Sequence, residues 1–346
     1  MEYKKIIELT TVVTGGTPST EKREYWDNGS IPWLQSGCCQ NCEVNSAGKY
    51  ITQEGYDNSS TRMMPADTVM IALTGATAGK VGYLNFAACG NQSITGILPC
   101  GALNQRYLFY YLISQRHKIL ADCVGGAQAH ISQGYVKNIK VPVLSLVEQE
   151  QVVEVLTQLN NIISMRRKEI GLLDTLVKSR FAEMFGDVKY GTERWGGKPF
   201  KDITINLDSK RKPVKDADRK KMQGIYPYYG ATGIVDYVND YRQDGDFLLI
   251  SEDGKALELR SKPIAFLASG KIWVNNHAHV QQCTDECNMI YLMYHINFMD
   301  VSIWVTGIDQ KKLNRANLDT IPIALPPIEL QEQFADFVNQ VTKSKF

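Results

Sequence analysis

The chain has no apolar run approaching the roughly 18 residues that a membrane-spanning helix requires. Its first residues, Met1-Glu2-Tyr3-Lys4-Lys5, lack the apolar stretch of a secretory signal. Both absences point to a soluble, cytoplasmic protein with no membrane among its partners. Excess charge is absent too: 38 Lys and Arg stand against 37 Asp and Glu, which excludes a uniformly basic chain that coats polyanions. Eight cysteines among 346 residues, without an export signal, read as reduced thiols. Cys39 and Cys42 have a zinc-like spacing, but Cys283 and Cys287 lie far along the chain, and a structural zinc needs a second pair beside the first. No metal is expected.

Enzyme signatures are missing as well. The segment Thr74-Gly75-Ala76-Thr77-Ala78-Gly79-Lys80 superficially resembles a phosphate-binding loop. It has one residue too few between its glycines, and Val81 follows the lysine where a magnesium-binding Ser or Thr is needed. It reads instead as a turn between strands, either one whose small residues and Lys80 approach phosphate or one that only packs the domain. There is no glycine-rich methyl-donor loop, and Tyr226-Pro227-Tyr228-Tyr229 lacks the amide or acid of an adenine methyltransferase motif. Asp246, Glu252, Asp253 and Lys255 miss the spacing that holds magnesium in common nucleases. The sequence thus signals none of these enzyme classes and no cofactor.

What is present is a long-range repeat. Val141-Pro142-Val143 followed by Glu148-Gln149-Glu150-Gln151 returns about 182 residues later as Ile321-Pro322-Ile323 followed by Gln331-Glu332-Gln333. Each copy is a strand end, a proline stop, a short linker and a helix start. A repeat of this size duplicates a whole domain-plus-helix unit rather than one turn of a solenoid.

Between these blocks the periodicity switches. Residues 1–145 are rich in Gly, Thr, Ser and short β-type runs such as Thr68–Leu73, with one helical stretch around Arg106 to Leu120. From Glu148 to Phe185, Val152, Leu156, Leu159, Ile163, Ile170, Leu173, Val177 and Met184 follow spacings of three and four, with Arg166 and Arg180 at the two exceptional positions. That seam predicts a helix of roughly 55 Å which needs a partner helix. Glycine at Gly186 marks its end. Strand-and-turn composition returns over 188–327, with Phe247–Ser251 placed like Val69–Leu73 and a helical patch near Asn288 to Met299. A second helix follows over 328–346, with Phe334, Phe337, Val338 and Val341 on one face. By register with the first it is expected to be truncated by roughly 20 residues. The fold class is α+β: two mixed strand-rich domains, each followed by a spacer helix, the helices pairing as an antiparallel coiled coil.

The chain resembles the specificity subunit of a Type I restriction-modification system. The resemblance is carried by Gly15-Gly16-Thr17-Pro18-Ser19, Tyr25-Trp26 and Ile31-Pro32-Trp33 in the first half, and by Tyr226 to Ile234 and Leu249-Ile250-Ser251-Glu252-Asp253-Gly254 in the second. Thr74 to Gly82 and the proline-then-Glu-Gln helix openings complete it. It covers essentially the whole chain. It implies two target recognition domains (1–145 and 188–327), a central spacer helix (146–187) and a second spacer (328–346). Its implied partners are double-stranded DNA with a bipartite, asymmetric target, methyltransferase subunits, two by expectation, and endonuclease subunits. A non-catalytic adaptor of another DNA-modification or phage-defence assembly is the alternative.

Groove readout favours amides, hydroxyls, lysines and carboxylates on loops, with aromatics for stacking. On that basis the expected DNA contacts are Gln35, Ser36, Thr77, Lys80, Asn91, Gln92 and Gln128 in the first domain. In the second they are Tyr229, Thr232, Glu252, Lys271, Asn276 and His279. Lys210, Arg211, Lys212, Lys215, Arg219, Lys220 and Lys221 crowd one polar segment suited either to phosphate or simply to solvent.

Overall fold

The structure, a computed structural model, describes residues 2–122, 130–188, 194–307 and 310–345. The chain forms two compact units, residues 1–165 and 166–346.

In the first unit the strands are β1 (Glu2–Lys5), β2 (Val12–Thr14), β3 (Ile31–Leu34), β4 (Cys42–Val44), β5 (Lys49–Ile51), β6 (Thr68–Ala72), β7 (Val81–Leu84), β8 (Cys89–Gly90), β9 (Ile94–Ile97) and β10 (Lys140–Val143). A five-stranded sheet has the order β2-β9-β6-β7-β4 and a three-stranded one the order β5-β3-β8, while β1 pairs only with β10. The apolar run of β6 is buried along its whole length because both of its faces are covered. Val69 and Ile71 face Leu108 and Leu112 of the helix Gln105–Ser114, whereas Met70 and Ala72 pack with Leu34, Met64 and Leu84 on the other side. Alternation with a period of two thus feeds two cores from one strand.

The second unit contains β11 (Gly197–Pro199), β12 (Thr204–Asn206), β13 (Gln223–Gly230), β14 (Gly233–Val238), β15 (Gln243–Ser251), β16 (Ala265–Val274), β17 (Ala278–Cys283) and β18 (Pro322–Ala324). Six strands form one sheet in the order β12-β17-β15-β16-β13-β14. Here β15 has the role of β6: Leu248 and Ile250 join the core that includes Tyr291 and Leu292 of the helix Met289–Phe298, and Phe247 and Leu249 join the opposite cluster with Val280.

Although their sheets differ, the two units close identically. In each, a first strand pairs antiparallel with a last one, β1 with β10 and β11 with β18. In each, an asparagine caps a ten-residue helix by accepting two backbone N–H groups, Asn104 in one and Asn288 in the other. A tyrosine of that helix donates to the last strand, Tyr107 to the Pro142 carbonyl and Tyr291 to that of Ala324.

The long helix spans Leu146–Phe185. Ser145 and Glu148 cap its start reciprocally, the Ser145 N–H donating to the Glu148 carboxylate and the Glu148 N–H to the Ser145 hydroxyl. Its end is followed by Gly186 at φ +88°, a left-handed position that glycine takes without a Cβ clash. Within the second unit the helix Ile328–Ser344 runs antiparallel to it: Phe334 meets Phe181 and Phe185, Arg180 stacks over Phe337, and Arg166 reaches the Ser344 carbonyl.

Of the expected seam, Val177, Met184, Phe334, Val338 and Val341 are buried, while Ile170, Leu173 and Phe337 are half-buried. Val152 packs on the first unit's core, and Leu156 is half-buried. Leu159 and Ile163 depart from the expectation, being 49% and 47% exposed. The partner helix has 17 residues and lies beside the stretch after Arg166, so these two side chains have no partner helix among the described residues. Phe181 and Phe185, outside the heptad positions counted from sequence, carry the aromatic centre of the pairing.

Candidate nucleic-acid interface

The expected contacts of the first unit fall into two neighbouring groups. Gln35 follows β3, and Asn91 and Gln92 follow β8, so the parallel pairing of these strands at Trp33–Cys89 and Leu34–Gly90 brings all three side chains to the same edge. They line a cleft of about 740 Å³ whose walls include Trp26, Trp33 and Lys49. The cleft is pinned by side-chain bonds across it: the Thr17 hydroxyl donates to Gln92 at 2.6 Å, and the Trp33 indole N–H donates to the Gly16 carbonyl at 2.9 Å.

The second group is the β6–β7 turn. Gly75 and Gly79 both adopt positive φ, +71° and +72°, so the turn is tight and a side chain at either position would be strained. Lys80 donates to Gln40 at 2.6 Å, and Asn41 accepts the Val81 N–H at 3.0 Å. This latches the turn to the segment that begins at Ser36, a half-buried residue opening a short 3-10 turn. Thr77 is half-buried and directed back at the Thr74 carbonyl, 3.5 Å away. Gln128 lies outside the described residues.

In the second unit, Thr232, Glu252 and Asn276 come to one end of the six-stranded sheet. Thr232 sits exposed at the tip between β13 and β14, and Asn276 is exposed between β16 and β17. Ser251 donates to the Ala231 carbonyl, and the Glu252 N–H donates to that of His277, tying the three loops together. Tyr229 is half-buried and stacks on Phe266 with ring centroids 6.1 Å apart. Lys271 stands apart from this group, opposite Asp244, with its ammonium 4.8 Å from the centre of the Tyr241 ring.

His279 differs from the sequence-based expectation. It is 1% exposed, with Nδ1 2.7 Å from Asp208 and Nε2 2.8 Å from the Leu313 carbonyl, so neither ring nitrogen is left to meet a base. It belongs to an internal polar network. Arg211 bonds Glu252 at 2.6 Å and the Ala278 carbonyl at 3.1 Å and approaches Asp208 at 3.3 Å. Burial pushes the Asp208 carboxyl up, but the His279 bond and charge, the Val280 N–H and Arg211 outweigh it and hold the group below the ordinary aspartate range. Glu252 is accordingly a half-buried brace as well as a loop residue. Asp208 was missed from sequence. Nothing in its neighbourhood distinguishes it from a loop aspartate until β17 is folded beside it.

The basic segment divides in the same way. Arg211 and Arg219 turn inward, the latter onto Asp236 at 2.7 Å and also onto Asp216, whereas Lys210, Lys212, Lys215, Lys220 and Lys221 are exposed. The loop is strapped down by the Trp273 indole N–H on the Lys212 carbonyl at 2.7 Å and by Arg242 on that of Lys210 at 3.2 Å. Five lysines thus project from a fixed backbone, an arrangement suited to phosphate. Among the described residues no three His, Cys, Asp or Glu side chains gather as metal ligands, and no helix is long and apolar enough to cross a membrane.

Similarity to known proteins runs the length of the chain. A specificity subunit of a type I restriction enzyme from Haemophilus influenzae is 37% identical over 145 residues, covering 42% of this chain and 37% of that protein. The EcoR124I/EcoR124II specificity subunit of Escherichia coli is 31% identical over 167 residues, covering 47% of this chain and 41% of the relative. Both matches span less than half the length of those relatives. The crystal structure of the S subunit of a Type I restriction-modification system from M. genitalium superposes with a TM-score of 0.60 at 15% identity, over 99% of this chain and 90% of that one, which is a likeness of fold. The model of the Type I restriction modification DNA specificity domain matches residues 1–172 and again 193–346. The chain therefore belongs to the Type I restriction-modification DNA specificity family, whose characteristic domain it carries twice.

Proposed function

We propose that this chain is the non-catalytic DNA-reading subunit of a Type I restriction-modification complex. Residues 1–145 and 188–327 each read one half of a split, asymmetric target, and the helices of 146–187 and 328–346 act as spacers. Methyltransferase subunits, two by expectation, and endonuclease subunits dock on this frame and supply the chemistry. The observation that carries the reading is the closing frame shared by the units, set against sheets that differ. One support is built twice, and the surface mounted on it varies, as reading two unlike half-sites requires. The loop amides, hydroxyls and exposed lysines supply the groups that meet base edges and phosphates.

The test is affinity for duplex DNA as a function of salt. Contacts to several phosphates give a steep fall in binding, with a log–log slope of about −0.9 per phosphate. An adaptor that binds only proteins would show no duplex affinity at all, and that result would end the proposal.

A further inference from the structure

The cleft of the first unit has more structure than a surface for groove contact needs. At about 740 Å³ it falls in the range of about 300–1,000 Å³ typical of small-molecule sites. Two indoles form its inner wall: Trp26 and Trp33 meet edge to face with centroids 5.0 Å apart. Their N–H groups are already spent, Trp26 on the Ser19 carbonyl at 3.0 Å and Trp33 on that of Gly16 at 2.9 Å. What Trp26, half-buried, adds to the cleft is therefore apolar aromatic surface, held in place by its own bond and by Trp33, 3% exposed, packed behind it.

Around this wall stand amides. Gln92 accepts a hydrogen bond from Thr17 through its oxygen, so its NH2 group remains to donate. The side-chain amides of Asn28 and Gln35 also line the cleft and have no hydrogen-bond partner among the described residues. Lys49, register partner of Trp33 on the neighbouring antiparallel strand, projects on the same face and supplies one exposed positive charge. Aromatic surface for a flat ring, amides for its polar edge and a cation for a phosphate are the groups that bind an unstacked nucleotide.

We propose that this cleft takes one unstacked base of the DNA, its ring against the Trp26–Trp33 wall, its edge on the amides and its phosphate near Lys49. The proposal rests on the DNA-reading function above and adds a site to it.

The experiment compares the full chain's affinity for two duplexes of the same sequence, one fully paired and one carrying a single unpaired thymine, in which the cost of unstacking is already largely met. The bulged duplex is expected to bind roughly tenfold tighter, the value of about one base–aromatic stack. Trp26→Ala should weaken binding of the bulged duplex roughly tenfold and that of the paired duplex less, so that the preference is lost, and Trp26→Phe should retain most of it. Lys49→Ala, at an exposed site that carries no fold burden, should also reduce it. A merely structural role for Trp26 would lower binding of both duplexes together and leave the Lys49→Ala variant unaffected. Equal binding of the two duplexes by the unaltered chain, or a preference that survives both alanine variants, would overturn the cleft assignment and leave the recognition function standing. Failure to bind either duplex would remove the recognition function and the cleft with it.

Discussion

Gln149 and Gln331 occupy equivalent places in the two halves of the chain and make the same three hydrogen bonds. Each is fully buried. Each accepts the backbone N–H of the asparagine that caps the preceding helix, Asn104 at 2.7 Å and Asn288 at 2.9 Å. Each also donates to two backbone carbonyls, Leu144 and Ala102 in the first half, Pro326 and Glu286 in the second. The amide thus stitches the helix cap, the end of the last strand and the start of the helix that follows together.

Removing that amide strands a buried donor and two buried acceptors. Gln331→Ala should destabilise the second unit by about 2–4 kcal/mol, measured by urea unfolding. Gln331→Glu should be nearly as harmful, because a carboxylate still accepts from Asn288 but cannot donate to Pro326 and Glu286. A loss below about 0.5 kcal/mol in both variants, the level of an ordinary surface change, would show that the amide is not the stitch described.

This relationship also marks how far the sequence was legible. The Glu-Gln openings at 148–151 and 331–333 were visible as a repeat because a three-fold bonded glutamine tolerates no substitute, so the letters recur with the geometry. The buried runs of β6 and β15 and the long helix were readable from their periods. Phe181, Phe185 and the Asp208–Arg211–His279 network were not. The phenylalanines fall outside the strict heptad because the C-terminal helix crosses onto a domain core rather than a bare coiled coil. His279 alternates along its strand like a surface residue, and only the pairing of β12 with β17 reveals Asp208 beside it.

Phe334 lies at the centre of the helix pairing, 0% exposed and in edge contact with Phe181, Phe185 and Tyr294. Phe334→Ala should cost about 3–5 kcal/mol and raise amide exchange in the helix Ile328–Ser344 first, while the helix Gln105–Ser114 of the other unit keeps its protection. Hydrogen-exchange mass spectrometry checks this, and uniform loss of protection in both helices would contradict it.

Acid should weaken the second unit through His295. Burial lowers its pKa to about 3, and its Nε2 accepts the Ala324 N–H at 3.2 Å. In the unfolded chain the ring takes a proton near its ordinary value of about 6.5. The stability this residue contributes is therefore complete above about 6.5 and is lost as pH falls toward about 3. Asp208, also held below its ordinary range, adds a loss below about 4. His295→Gln should flatten the dependence between about 6.5 and 4 relative to the unaltered chain. Parallel curves for the two proteins in urea titrations across that window would refute the role given to His295.

The exposed lysines and the inward arginines of the basic segment should separate in a salt titration. Replacing Lys212 and Lys215 by Ala should make the log–log slope of duplex binding shallower by roughly 0.9 for each phosphate contact removed, with thermal stability unchanged. Arg211→Ala should instead lower the melting temperature, since Glu252 loses its 2.6 Å hydrogen bond and Asp208 loses one of the groups that hold its charge. A double lysine variant that matches the parent at every salt concentration would place the phosphate contacts elsewhere.

The most direct measurement is the methylation pattern the chain imposes. Co-expressed with a Type I methyltransferase subunit that it binds, in a host free of other DNA modification, it should direct methylation to one split motif: two unlike half-sites separated by a fixed, unspecified gap. A single contiguous motif, or a stable complex that methylates nothing, would contradict recognition of the two half-sites by two domains.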